Sequence, residues 1–274
     1  MRQISFILVL SGVLHCGGLA QDLTPPLEWG RLSVTAGYDF QKGWGQYFAG
    51  QERYKLDSMA RNPISQEIPL GLKYGYFPGL EFFFQWPAEF RNKDNGDAAG
   101  MARIRWGVKS AFPQLLGLGL TLAFSYPKIT GSLDKIYSRD VSEFMFGGFY
   151  YYHRQHFQLT AAVSEFYHSS KSHYAEAANS LRMEAKPTAI WYGKYHGYWT
   201  LLYQHWRHIP GDENYPDVPE RFLLSISPGF GFPIGKESRG EIAYVFPVSG
   251  KNVVVFHGVE ARLYYALPWT MKLF

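Results

Sequence analysis

Charged side chains that recur at every second position are the residues best suited to do chemistry in this chain. They are Arg103, Arg105 and Lys109; Arg182, Glu184 and Lys186; Arg239 and Glu241; Glu260 and Arg262; and, in a more apolar stretch, Lys73, Glu81 and Gln85. Period two throws alternate side chains of an extended strand to one face, so each set lines one side of its strand. Such rows serve either as ion pairs in which opposite charges meet across a narrow lumen and fill it, or as a polar lining that selects solutes. Arg103, Arg105 and Lys109 form the densest run of like charge, so if the lumen has a constriction favouring anions, these are the residues expected to form it.

A second kind of chemistry is written at Tyr167-His168-Ser169-Ser170-Lys171. His168 and Ser170 share a face if the strand continues, so the imidazole can support serine attack on an ester, with Asn179 the nearby orienting amide. The other histidines carry weaker signals. His205 and His208 project to opposite faces of a regular strand and cannot chelate together, whereas His153 and His156 lie in a turn and can meet. Asp212, Glu213, Asp217 and Glu220 offer oxygen ligands for calcium but read as a solvated loop. Gly229, Gly231 and Gly235 look like a phosphate loop without the helix that would supply its dipole. No metal, no cofactor and no enzymatic activity are therefore expected; an outer-membrane lipid or ester hydrolase using Ser170 and His168 is one alternative, and a closed barrel with a structural or adhesive role is the other.

The elements that must position these residues are strands. From Gln66 to Phe90, Ile68, Leu70, Leu72, Tyr74 and Tyr76 alternate with polar or small residues; after Phe77-Pro78-Gly79 the alternation resumes with Leu80, Phe82, Phe84 and Trp86. This is a hairpin with one oily face, and each arm is near the roughly 9–11 residues that a tilted strand needs to cross a bilayer. Similar patterns mark strands over about Gly30–Phe40, Ala99–Phe112, Gly117–Pro127, Asp140–Tyr152, Phe157–Phe166, Leu181–Tyr192, Tyr198–His208, Arg239–Phe246 and Val253–Leu267, with another starting near Glu220. The faces of Asp140–Tyr152 are not assignable from the pattern, and Tyr198–His208 is irregular.

Twelve strands are an even number, as in bacterial single-chain barrels. The connections alternate too. Phe77–Gly79, Pro113–Leu116, His153–His156, Gly193–Gly197 and Pro233–Ser238 are short, whereas Gln41–Ser65, Arg91–Ala98, Lys128–Arg139, Tyr167–Ser180 and Ile209–Pro219 are longer and polar. The expected fold is all-β, an antiparallel transmembrane β-barrel with short periplasmic turns and longer extracellular loops.

Composition agrees. Phe, Tyr and Trp make up 18% of the 274 residues, yet outside the N-terminus the longest apolar run, Leu115 to Phe124, is far short of the roughly 20 residues of a membrane helix. Arg2, the apolar Ile4–Leu14 and the small-residue Gly18-Leu19-Ala20 read as a secretory signal over residues 1–20, removed near Ala20. It would take with it Cys16, the chain's single cysteine, and so any disulfide or thiol chemistry. Residues 21–29 then form a periplasmic lead-in, with Pro25-Pro26, and residues 30–274 the barrel. The formal net charge of +4 is spread along the chain, which argues against a nucleic-acid partner.

Two resemblances add to this reading. The segments "IPLGLKYGYFPGLEFFFQWP", "GDAAGMARIRWGVKSAFP" and "GLGLTLAFSYPKITG", within Ile68 to Gly131, resemble the outer-membrane family of the meta-pathway of phenol degradation. The shared pattern is a strand ending in Lys/Arg-Tyr-Gly, a short turn, a Leu-Glu strand, a Gly-Asp loop before a basic strand, and a Leu-rich strand closing in Pro-x-x-Gly. It covers about a quarter of the chain and implies passive uptake of a small, aromatic or hydrophobic solute across the outer membrane of a Gram-negative bacterium. His168 and Ser170 resemble the His-x-Ser-Asn motif of outer-membrane phospholipase A, also a twelve-strand barrel, but Lys171 stands in place of the Asn. The expected partners are outer-membrane lipid and lipopolysaccharide, the solute, and the barrel-assembly machinery, whose clients typically end in an aromatic residue such as Phe274.

Overall fold

The structure, a computed structural model, describes residues 26–47, 53–55, 64–93, 96–112, 117–126, 131–132, 142–168, 178–209, 219–268 and 270. The expected signal peptide, Ser170, Asp212, Glu213, Asp217 and Phe274 lie outside the described residues. The strands in chain order are β1 (Leu32–Tyr47), β2 (Arg53–Lys55), β3 (Ile64–Ile68), β4 (Leu70–Phe77), β5 (Leu80–Gln85), β6 (Ala88–Lys93), β7 (Gly96–Met101) and β8 (Ile104–Phe112). They continue with β9 (Leu118–Tyr126), β10 (Glu143–Arg154), β11 (Phe157–His168), β12 (Ser180–Trp191), β13 (Tyr195–Trp206), β14 (Arg221–Pro233), β15 (Ser238–Lys251) and β16 (Val253–Ala266).

Twelve of these close a ring in the order β1, β4, β5, β8 to β16, and β16 pairs back onto β1 from Ser33↔Ala266 to Tyr47↔Val253. The barrel is antiparallel at every seam, which leaves no unpaired sheet edge to face lipid. Side-chain exposure gives its orientation. Leu118, Leu120 and Leu122 are 43–49% exposed while Thr121 and Ala123 are 3% exposed, so the oily face is the outer one. A barrel soluble in water would have the opposite arrangement. The same test resolves the two strands that the pattern left open: Phe144 and Phe146 of β10, and Trp199 and Leu201 of β13, face outward, while Met145, Phe149 and Tyr198 face in.

Strand boundaries differ from the alternation at the loop end. The strand expected to stop at Phe40 runs to Tyr47, the one expected to stop at Phe246 runs to Lys251, and most of the Arg91–Ala98 loop is the hairpin of β6 and β7. Outside the bilayer a strand needs no oily face, so its alternation fades while backbone pairing continues. The last loop-end connection is correspondingly tight, a turn at Asn252 with φ of 53°. At the opposite end the Phe77-Pro78-Gly79-Leu80 turn is as expected. Gly79 has φ of 80°, the conformation a type II turn requires after Pro78.

Three adjacent strands are interrupted at one height, two of them by prolines. Pro69 separates β3 from β4, and Trp86-Pro87 separates β5 from β6; on the facing strand, the pairing shifts by one residue between β7 and β8. Trp86 N–H donates to the Leu70 carbonyl at 2.9 Å, and Ala102 N–H to the Pro87 carbonyl at 2.8 Å. Pro87 has no N–H to return. The indole Nε1–H of Trp86 fills that role, donating to the Ala102 carbonyl at 3.1 Å. Trp86→Phe keeps the ring but strands that carbonyl, and is expected to cost about 1–3 kcal/mol, read as a lower urea midpoint in unfolding from detergent.

Candidate functional site

The lumen is divided lengthwise into a packed half and an open half. In the packed half, Phe83 of β5 joins Ala123, Met145 and Phe166 of β9, β10 and β11, and Ala111 packs against Phe149 and Ala162. The cations of β8 lie over this apolar fill. The Arg105 guanidinium sits 5.6 Å from the Phe166 ring centroid and Lys109 Nζ 4.6 Å from that of Phe149. Arg105 also pairs with Glu143 at 2.5 Å.

The open half holds a cavity of about 520 Å³, within the roughly 300–1,000 Å³ of small-molecule sites. Lys73, Gln85, Arg182, Glu184, Lys186, Arg239, Glu241, Glu260 and Arg262 all border it. Glu81, Arg103, Arg105 and Lys109 also face inward, but they are buried at 0–7% exposure and are not among the residues that border this cavity. The expectation that Arg103, Arg105 and Lys109 would stand at a constriction did not foresee the aromatic fill. Phe83 and Phe166 sit among polar partners in their strand patterns, and Phe149 belongs to a strand whose faces the pattern does not assign.

Along the open wall, Glu241 takes two cations, Lys186 Nζ at 3.0 Å and Arg239 Nη2 at 2.8 Å. Two tyrosine rings support them: Lys186 Nζ is 3.9 Å from the centroid of Tyr198, and Arg239 Cζ is 4.9 Å from that of Tyr264. Cation and ring attract through the ring quadrupole, so the rings help fix where these long side chains present their charge at the cavity border. Arg182 pairs with Glu184 at 3.1 Å. The group carries more positive than negative charge.

Across β6, β3, β1 and β16 the inward face instead presents carboxylates in register. Glu89 stands opposite Glu67, Glu67 opposite Asp39, and Asp39 opposite Glu260. Arg91 binds Glu89 at 2.9 Å, and Arg262 grips Asp39 with both terminal nitrogens, Nη2 at 2.7 Å from Oδ2. Oppositely charged groups were expected to meet across a narrow lumen. Most of these pairs instead form within a strand or between neighbours, where the roughly 4.8 Å strand spacing puts partners within reach. The exceptions are Arg105–Glu143, which reaches across β9, and the wider Lys186–Glu241 pair, from β12 to β15.

Of the residues named for ester hydrolysis, Ser170 lies outside the described residues, and Asn179 differs from its expected role. His168 Nε2 lies 3.3 Å from Glu143, and the Asn179 side-chain oxygen accepts the backbone N–H of His168 at 3.0 Å, so Asn179 orients main chain and not the imidazole. Among the other histidines, His153 stacks on Tyr151. His205 lies 2.6 Å from Glu220, beyond the start of β14; with Lys251 it holds that carboxyl below the usual range. Among the described residues no cluster of three or more His, Asp or Glu converges as a metal site.

No protein-family model and no curated protein matches the chain. Solved structures do. The chain is similar to an outer membrane channel from Pseudomonas putida F1, with a TM-score of 0.71 at 12% identity over 91% of this chain and 99% of the other. It is similar to the translocator domain of the autotransporter NalP from Neisseria meningitidis, with a TM-score of 0.52 at 11% identity over 85% and 88% of the two chains. It is also similar to the monoaromatic hydrocarbon channel CymD, with a TM-score of 0.51 at 10% identity over 90% of each. At these identities the likeness is one of fold, and the fold is that of the outer-membrane β-barrels.

Proposed function

We propose that this chain is a passive channel of the bacterial outer membrane that admits a small solute, after removal of a signal peptide near Ala20. One observation carries the reading: the same cavity borders both Ser33 and Gln41 of β1. Eight residues of strand separate them, about 26 Å along the strand and about 20 Å of height at the tilt of such barrels. A cavity that long follows most of the apolar band. The resemblance of residues 68–131 to the phenol meta-pathway family, and the likeness in fold to a monoaromatic hydrocarbon channel, favour a small aromatic solute. In this reading Lys186 and Arg239 select solutes in place of Arg103, Arg105 and Lys109. Lipid and lipopolysaccharide surround the outer face, and the barrel-assembly machinery inserts it.

The test is swelling of liposomes that contain the purified protein. Swelling in small aromatic acids or alcohols faster than in protein-free liposomes is the expected result. No acceleration with any small solute would leave a closed structural barrel as the better reading.

A further inference from the structure

The segment ahead of the first strand has a place inside the barrel. β1 begins at Leu32, yet Pro26, Leu27 and Glu28 border the same cavity as Lys73 and Arg239. Leu27 N–H donates at 2.9 Å to Oε2 of Glu81, whose side chain is fully buried on the inward face of β5. Gly30 N–H donates to the Gly75 carbonyl at 2.7 Å, and Gly75 N–H to the Arg31 carbonyl at 2.9 Å. Gly75 faces inward two residues after Lys73, and a methyl group there would collide with the carbonyl oxygen of Glu28. Only glycine leaves room for the segment to run inside the wall instead of beneath it.

The tethers reach both flanks of β1. On one side are Gly75 and Glu81; on the other, the Arg31 guanidinium lies 4.0 Å from Glu237 in the β14–β15 turn and 3.4 Å from the Leu267 carbonyl. A segment fixed on both sides at the short-turn end stands in the path of anything that moves through the cavity.

Building on the channel reading, we infer that Pro26–Trp29 forms the narrow point of the conduit at its short-turn end and that the Leu27 side chain sets the size of what passes. Leu27 belongs to no strand and is tied to Glu81 through its backbone N–H, so its side chain can be changed without altering the sheet.

The experiment is single-channel recording in planar bilayers on the full chain and on Leu27→Gly, Leu27→Trp and Leu27→Cys, each checked for the heat-modifiable gel shift of a folded barrel. Conductance is expected to rise roughly twofold with Gly and fall by about half with Trp, as a constriction dictates. The only native cysteine lies in the expected signal peptide, so a thiol-reactive methanethiosulfonate should block Leu27→Cys and leave the parent untouched. Equal conductance across the series with no thiol block would overturn the assignment while leaving a conducting parent, and hence the channel reading, intact. If the parent is silent, a conducting Leu27→Gly supports the constriction and a silent one overturns it.

Discussion

Arg262→Met should unfold from detergent with a stability about 3–5 kcal/mol below that of the parent, the cost of removing one member of a buried ion pair. Asp39 is 2% exposed and loses its bidentate partner in this variant. Its direct neighbours across the strand seams are Glu67 and Glu260, so the freed carboxylate faces like charge on both sides. Like charges opposite one another in a sheet are themselves destabilising. The double variant Asp39→Leu/Arg262→Met removes the orphaned charge along with its partner and should recover most of the loss. A double variant as unstable as Arg262→Met alone would show that packing at this seam, and not charge, sets the cost.

The second large effect concerns ion preference. Glu241 balances one of the two cations that flank it on the open wall, Lys186 and Arg239. Glu241→Gln leaves both uncompensated beside the cavity, and Lys186→Gln removes one of them. A unit charge about 4 Å from a hydrated ion is worth about 1 kcal/mol, roughly a fivefold change in relative permeability. Reversal potentials in a KCl gradient should therefore shift towards chloride in Glu241→Gln and towards potassium in Lys186→Gln. The shifts should shrink at 1 M salt, where the Debye length is about 3 Å. Identical reversal potentials in parent and both variants would remove Lys186 and Arg239 from the selecting wall. Arg105 and Lys109 make a useful contrast, because their place against the aromatic fill predicts little effect of their charge on permeation.

The amino-acid sequence by itself determined the class of fold, the number of strands in the ring and which face of most strands meets lipid. The reason is local: each strand of a barrel carries its own period-two record of two different environments, apolar lipid and polar lumen, and the record needs no knowledge of the neighbours. That is why Lys73, Gln85, Arg182, Glu184, Lys186, Arg239, Glu241, Glu260 and Arg262 were legible as inward residues and all border the cavity. Only the tertiary structure decided how the inside is divided. Whether an inward cation borders water or lies over a ring depends on what distant strands project into the same space. Phe83, Phe149 and Phe166 come from β5, β10 and β11, and nothing in the spacing within any one of them announces that they bury Arg105 and Lys109. The same holds for the carboxylate row, which exists only once β6, β3, β1 and β16 are in register, and for Leu27, whose position inside the mouth depends on a missing side chain at Gly75 and a buried carboxylate at Glu81.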